Sequence, residues 1–174
     1  MATRGIDFTA LSLKDALDLA ILVEEEAQER YEEFAAQMDQ HRTPEAARFF
    51  RFMAENEAKH GRELIARRVR RFGDASRAVT RELIFDVEAP DYDEARAFMS
   101  PRRAMAAALA SEVKAHAFFV AALPAIQDAD VKALFEELRD EEVQHQDLVK
   151  AELAKLPPES GLSDEDFVDG PTAQ

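Results

Sequence analysis

Two short stretches, Glu57-Ala58-Lys59-His60 and Glu142-Val143-Gln144-His145, decide how this sequence folds. Each has the pattern Glu-x-x-His, and residues three positions apart share one face of a helix. Both motifs lie in apolar stripes of helical spacing, since Met53 precedes the first glutamate by four positions and Leu138 precedes the second likewise. An ionised carboxylate buried in an apolar core costs several kcal/mol unless it is paired or bound to a metal. The stripes therefore predict helices whose buried faces carry polar chemistry.

The composition favours an all-α protein and excludes several kinds of site. With five Gly and seven Pro in 174 residues, few turns of the kind that β structure needs are available. The formal net charge of −14 argues against nucleic acid and anionic membrane surfaces as partners. The absence of cysteine excludes disulfides, iron–sulfur clusters and thiolate ligands. Without a signal run at Met1 to Phe8 or about 18 consecutive apolar residues, we expect a cytoplasmic protein and no membrane association.

Local start and stop signals predict four helices. Cap residues Ser12, Thr43, Ser100 and Asp128 precede them, and the expected ends are Gln40, Gly73, Pro124 and Pro157. Residues 74–100 are predicted to form a long connection with a short helix near 91–98. Such a crossover lets the third helix run parallel to the second. We expect residues 1–11 to form an N-terminal arm, residues 12–156 a four-helix bundle, and residues 157–174 an acidic flexible tail.

An internal repeat completes the candidate site. Glu24-x-x-Ala27-x-x-x-Tyr31 on the first helix matches Glu112-x-x-Ala115-x-x-x-Phe119 on the third, and a Glu-x-x-His helix follows each. The two halves are thus predicted to pack about a pseudo-twofold axis. The predicted metal ligands are Glu24, Glu57, His60, Glu112, Glu142 and His145. Four carboxylates balance two divalent cations, and this oxygen-rich set suits iron(II) or manganese(II), with zinc as a substitute.

Neighbouring polar residues have alternative interpretations. Glu25, Glu26 and Glu141 are out of phase with the apolar stripes, so we expect them to be solvated. Tyr31 fits a plain core aromatic better than a hydrogen-bond donor to a ligand, but the donor role stays open. Tyr31 is therefore the one candidate catalytic residue, acting behind the metal ligands. His116, one turn after a predicted ligand, fits a satisfied polar residue near the core better than a further ligand.

The four motifs resemble those of the ferritin-like di-iron carboxylate superfamily, and within it the rubrerythrin-like proteins, over residues 12–156. The resemblance implies a ferritin-like bundle with a long crossover between helices 2 and 3, holding two iron ions. By the same resemblance Glu57 and Glu142 would bridge the irons. Glu24 and Glu112 would be terminal carboxylates, and His60 and His145 would each bind one iron.

Two departures from the rubrerythrin pattern modify what the resemblance implies. Typical rubrerythrins carry a rubredoxin-like domain that holds iron on four cysteines, whereas this sequence has no cysteine. An external electron donor is therefore expected. Rubrerythrins also often have a second glutamate at the position of Ala115. Its absence makes the site more like the symmetric ferroxidase centre of bacterioferritin.

The resulting hypothesis is a non-haem di-iron oxidoreductase in which diferrous iron reacts with hydrogen peroxide or dioxygen. Peroxide detoxification and ferroxidase activity both fit. An iron-binding storage protein and a structural helical module that binds a metal are the alternatives. Exposed apolar helix positions predict a homodimer.

Overall fold

The computed structural model describes residues 6–81 and 100–157. In these residues the chain forms α1 (Leu13–Gln40), α2 (Pro44–Phe72), α3 (Pro101–Ala122) and α4 (Ala129–Leu153), with a 3-10 turn at Leu123–Ala125. No strand occurs in the described residues, so the all-α prediction is confirmed. The short helix predicted near 91–98 and the acidic tail after residue 157 lie outside them.

Local caps explain where the helices begin and end. The Ser12 side chain accepts a hydrogen bond from the Asp15 amide at 3.1 Å, as a capping box requires. Gly73 ends α2 with a φ of 57°, a conformation that costs other residues more. Thr43 precedes α2 but does not cap it, because its hydroxyl donates to the Met38 carbonyl at 2.9 Å. The side chains of Ser100 and Asp128 cap α3 and α4 as predicted.

Two apolar clusters at opposite ends of the bundle define its topology. The first joins the starts of α1 and α4 to the ends of α2 and α3, and it includes Leu17, Ile21, Leu64, Phe119, Phe135 and Leu138. The second joins the opposite ends, and it includes Phe34, Met38, Phe50, Met53, Met105 and Val149. Hence α1 and α4 run in one direction while α2 and α3 run in the other. The parallel α2 and α3 confirm the predicted ferritin-like arrangement, which a long crossover makes possible.

The first part of the crossover follows α1 back along the bundle. Lys14, near the start of α1, donates to the Ser76 carbonyl at 3.2 Å. Farther along, Arg81 pairs with Glu29 at 2.6 Å. Exposed ion pairs of this kind contribute about 1 kcal/mol or less each. They direct residues 74–81 along the outside of α1 rather than supply much stability.

A buried ion pair that the sequence pattern did not predict joins α1 to α2. Asp18 is fully buried, and the Arg68 guanidinium donates to both of its carboxylate oxygens. Arg68 also donates to the Ala75 carbonyl at 2.7 Å, and Lys14 lies 3.1 Å from Asp18. These contacts satisfy the buried charges and attach the start of the crossover to the bundle. A sequence signal existed, because Asp18 lies within an apolar run and Arg68 follows Leu64 by four positions.

Helix α3 is the most apolar element. Together with the 3-10 turn that follows it, over Pro101–Ala125, it is long and apolar enough to cross a membrane, judged by length and composition alone. From the sequence we expect no membrane-spanning segment, because such a segment would need about 18 consecutive apolar residues. Glu112 and Lys114 interrupt the apolar run of α3, so α3 contains no such stretch. A helix at the core of a bundle satisfies the same criterion, and Met105 and Phe119 are fully buried here. In all, 39% of the apolar window is buried in the bundle, whereas Val113 and Val120 are exposed.

Most residues of the predicted apolar stripes face the interior. Ile65, next to the buried Leu64 on α2, is an exception, since 37% of it is exposed. Leu64 takes the inward position instead. Successive helical residues are about 100° apart, so two adjacent residues cannot both point to the centre of the bundle.

Candidate metal centre

The six predicted ligands lie together at the middle of the bundle, between the two apolar clusters. Helix α1 contributes one glutamate, α3 one glutamate, and α2 and α4 one Glu-x-x-His pair each: Glu24, Glu112, Glu57 with His60, and Glu142 with His145. Five of the six are buried, whereas the His60 side chain is 20% exposed. The structure thus brings together every side chain that the sequence pattern selected.

Glu57 lies at the centre of this group, next to both imidazoles. Its Oε1 is 3.3 Å from His145 Nδ1, and its Oε2 is 4.0 Å from His60 Nδ1. His145 Nδ1 is also 3.4 Å from Glu112 Oε2, and His60 Nδ1 is 3.8 Å from Glu24 Oε2. The two rings stack with centroids 5.3 Å apart and planes 8° from parallel. The carboxylate of Glu57 can therefore reach two adjacent candidate metal positions, and each of these positions has its own imidazole.

The side chains form two outer sets, each able to hold one cation, and a third set that overlaps both. Glu112, Glu142 and His145 form one outer set, and Glu24, His60 and Glu141 form the other. Glu57 forms the third set with His60 and His145. Within each set the potential ligand atoms lie within 4.8 Å of one another. Atoms bound at about 2.1 Å to one ion lie at most about 4.2 Å apart, so small side-chain movements would complete either position.

The unpaired polar atoms at this site fit a bound metal. Glu24 Oε2 and His60 Nδ1 are both buried, and neither has a hydrogen-bond partner among the described residues. Leaving a buried acceptor unpaired costs about 1–3 kcal/mol, so such atoms are rare without a reason. A cation between them would satisfy both. The oxygen-rich donor set with two nitrogens suits iron or manganese.

Burial governs the electrostatics around Glu24 and His60. Burial raises the pKa of Glu24 to about 7, and the negative charges of Glu141 and Glu112 act in the same direction. Burial lowers the pKa of His60, and the neighbouring His145 lowers it further. Without metal, this side of the site therefore favours a neutral imidazole and a carboxyl that holds its proton readily.

The opposite side of the site favours charged groups. Burial alone would raise the pKa of Glu112, but its interactions with His145, Glu142 and Tyr31 outweigh burial and hold the pKa below its usual value. Burial alone would lower the pKa of His145, but the hydrogen bond and charge of Glu112 raise it. In the metal-free protein Glu112 and His145 thus stabilise each other as an ion pair.

Tyr31 acts as a hydrogen-bond donor to one of the candidate ligands. Its hydroxyl donates to Glu112 Oε1, and the residue is buried. The ring also stacks on Phe50 with centroids 6.0 Å apart. The hydroxyl thus reaches across the bundle from α1 to α3, while the ring packs in the core. Of the two roles left open, the structure favours the donor.

Tyr31→Phe should weaken metal binding without unfolding the protein. Removing a hydrogen bond to a ligand typically lowers metal affinity by about 10-fold to 100-fold. Phe119 occupies the corresponding position of the repeat, so a phenyl ring is compatible with this type of helix contact. Calorimetric titration with manganese(II) measures the affinity, and circular dichroism checks the fold. An affinity within twofold of the wild-type value would show that the hydroxyl does not support Glu112.

Glu141 differs from its sequence prediction. It was expected to be solvated, yet it is half-buried and lies beside Glu24 and His60. Burial raises its pKa, and the charge of Glu137 adds to the effect. The prediction considered only the apolar stripe of α4. Because α1 packs against α4, a residue at the side of that stripe is covered by the neighbouring helix.

The other neighbouring residues remain outside the site. Glu25 and Glu26 are partly exposed rather than fully solvated, and Glu25 pairs with Arg77 of the crossover at 3.3 Å. His116 is partly buried, and it belongs to none of the metal-binding groups formed by the described residues. These positions agree with the interpretation of His116 as a polar residue near the core.

Comparisons with known proteins support this description of the fold. The family model described as Rubrerythrin matches residues 15–153. The crystal structure of an uncharacterized conserved protein from Magnetospirillum magnetotacticum MS-1 superposes with a TM-score of 0.73 at 28% sequence identity. The alignment covers 86% of this chain and 99% of that one. No protein of curated function matches the sequence significantly.

Proposed function

Since the chain belongs to the rubrerythrin family, we propose that it is a non-haem di-iron oxidoreductase whose reduced centre reacts with hydrogen peroxide or dioxygen. The observation that carries the proposal is the arrangement of the buried site. Glu57 forms one group of potential ligand atoms with the stacked rings of His60 and His145, and each of these histidines also belongs to one of the two outer sets. Two divalent ions would neutralise the charges of four carboxylates that are otherwise costly to bury.

Each residue has a distinct task in this proposal. Glu57 would hold both metals, and Glu24 and Glu112 would bind one each at the two sides of the site. Glu142 would complete the position that includes His145. When bound, iron would supply the electrons and the Lewis acidity for reaction with the oxidant. The apolar clusters above and below would limit the access of water to this centre.

The protein environment also controls protons at the site. Tyr31 keeps a proton directed at Glu112 Oε1, which fixes the orientation of that carboxylate and leaves Oε2 facing His145. Burial raises the pKa of Glu24 to about 7, so this carboxyl exchanges its proton near neutral pH when no metal is present. Metal ligands must be deprotonated, so binding is expected to release protons to solution.

We propose that the electrons come from a donor outside these 174 residues. None of the 174 residues is a cysteine, so these residues hold no iron centre of the rubredoxin type. We propose that a redox protein or a small reductant returns the centre to its reduced state after each reaction.

Stopped-flow spectroscopy tests the proposed function. The protein is first loaded anaerobically with two equivalents of iron(II). The bound iron(II) should then be oxidised at least about tenfold faster than free iron(II) at the same pH. Separate mixing with hydrogen peroxide and with dioxygen identifies the preferred oxidant. Glu142→Ala should lose the acceleration, while Glu55→Gln, an exposed change on α2, should retain it. Oxidation of the wild-type protein no faster than free iron(II) would contradict the proposal.

A further inference from the structure

We propose that Glu141 is a fifth carboxylate ligand of this centre and that it serves the metal position formed by Glu24 and His60. The inference rests on the proposed di-metal function and extends it. The family resemblance implies six ligands, and Glu141 is not among them. Adjacent glutamates on α4 would then serve different metals, because Glu142 belongs with Glu112 and His145.

The placement of Glu141 supports this assignment. One of its carboxylate oxygens lies within 4.8 Å of both a nitrogen of His60 and an oxygen of Glu24. The residue is half-buried although it is charged and lies among exposed residues such as Glu137 and Asp140. Burying even part of a carboxylate is unfavourable unless a hydrogen bond or a cation compensates it. A metal between the three side chains would provide that compensation.

A second, independent observation points to a ligand at the same position. Glu24 is buried, and its Oε2 has no hydrogen-bond partner among the described residues. The same holds for His60 Nδ1, which faces Glu24 at 3.8 Å. Both residues also have a ligand atom within 4.8 Å of a Glu141 oxygen.

The internal repeat shows that this carboxylate has no equivalent in the other half. Glu141 directly precedes the second Glu-x-x-His motif, and Asn56 directly precedes the first. A neutral carboxamide cannot supply the negative charge that Glu141 supplies. The two metal positions are therefore unequal, and the centre carries five carboxylates where a symmetric one would have four. The extra negative charge favours binding of a more highly charged ion at the Glu24 and His60 side.

Titration of the metal-free protein with manganese(II) tests the inference. We expect the wild-type chain to bind two ions in steps of different affinity. Glu141→Gln should weaken one step by about tenfold or more and leave the other within about twofold. Glu141→Ala should behave like Glu141→Gln. The matched control is Glu136→Gln, which removes the same charge from an exposed position on α4.

The variants separate a ligand from a residue that only orients His60. Glutamine keeps a hydrogen-bond acceptor, so an orienting role would survive in Glu141→Gln and be lost in Glu141→Ala. Wild-type affinities in Glu141→Gln would overturn the inference, as would an equal effect of Glu136→Gln. Wild-type protein that binds fewer than two ions would instead contradict the proposed function. Melting temperatures of the metal-free variants confirm that each one is folded.

Discussion

Glu57→Gln is expected to weaken the binding of both metal ions, by about 100-fold or more, rather than the binding of one. The reason is its central position, since its two oxygens lie 3.3 Å from His145 Nδ1 and 4.0 Å from His60 Nδ1. Loss of a direct ligand should exceed the effect of about 10-fold to 100-fold that is typical for residues behind the ligands. Calorimetric titration with manganese(II) would show both binding steps reduced.

Two further variants, one at a neighbouring ligand and one on the protein surface, serve as controls for Glu57→Gln. Glu24→Gln should weaken one step only, because Glu24 lies near His60 and belongs to a single set of ligand atoms. Glu55→Gln, two positions before Glu57 on the exposed side of α2, should leave both steps unchanged. If Glu57→Gln impaired a single step, the residue would not be shared between the two positions.

Asp18→Ala is expected to lower the melting temperature of the protein by about 10 °C. The change leaves the buried guanidinium of Arg68 without its carboxylate, and breaking a buried ion pair from one side is strongly destabilising. The start of the crossover should loosen as well, because Arg68 also holds the Ala75 carbonyl. Differential scanning calorimetry of the metal-free protein measures the effect.

An exposed pair between the same two helices, α1 and α2, provides the control. Asp39 pairs with Arg51 on the surface, so Asp39→Ala should shift the melting temperature by no more than about 2 °C. The double variant Asp18→Leu with Arg68→Met should recover most of the lost stability, because apolar residues can replace a buried pair without penalty. Equal effects of Asp18→Ala and Asp39→Ala would show that the buried pair contributes nothing special.

The helix boundaries were predictable because local interactions set them. Ser12, Ser100 and Asp128 cap their helices through neighbouring amides, and Gly73 ends α2 through its own backbone conformation. Such signals act within a few residues and do not depend on the rest of the fold. The six candidate ligands were predictable for a related reason. Their spacing within apolar stripes identifies the helix face that must be buried.

Features that depend on contacts between helices were not predictable. Glu141 lies at the side of the α4 stripe, and only the packing of α1 against α4 brings it to Glu24 and His60. Asp18 was visible as a charge in an apolar run, but the sequence did not identify Arg68, fifty positions away, as its partner. The hydroxyl of Tyr31 likewise donates to Glu112 only in the folded bundle, where α1 and α3 lie on either side of the core. Periodicity describes one helix at a time, so it omits these pairs.

The repeated helix pair has an evolutionary consequence. Two separate copies of one helical hairpin could build a similar centre, but identical chains would have to carry the same residue at both equivalent positions. The crossover joins the two hairpins in one polypeptide and removes that constraint. Each half can then mutate alone, as Tyr31 opposite Phe119 and Glu141 opposite Asn56 illustrate. Because the two hairpins are covalently joined, natural selection can change the residues at each of the two neighbouring metal positions independently.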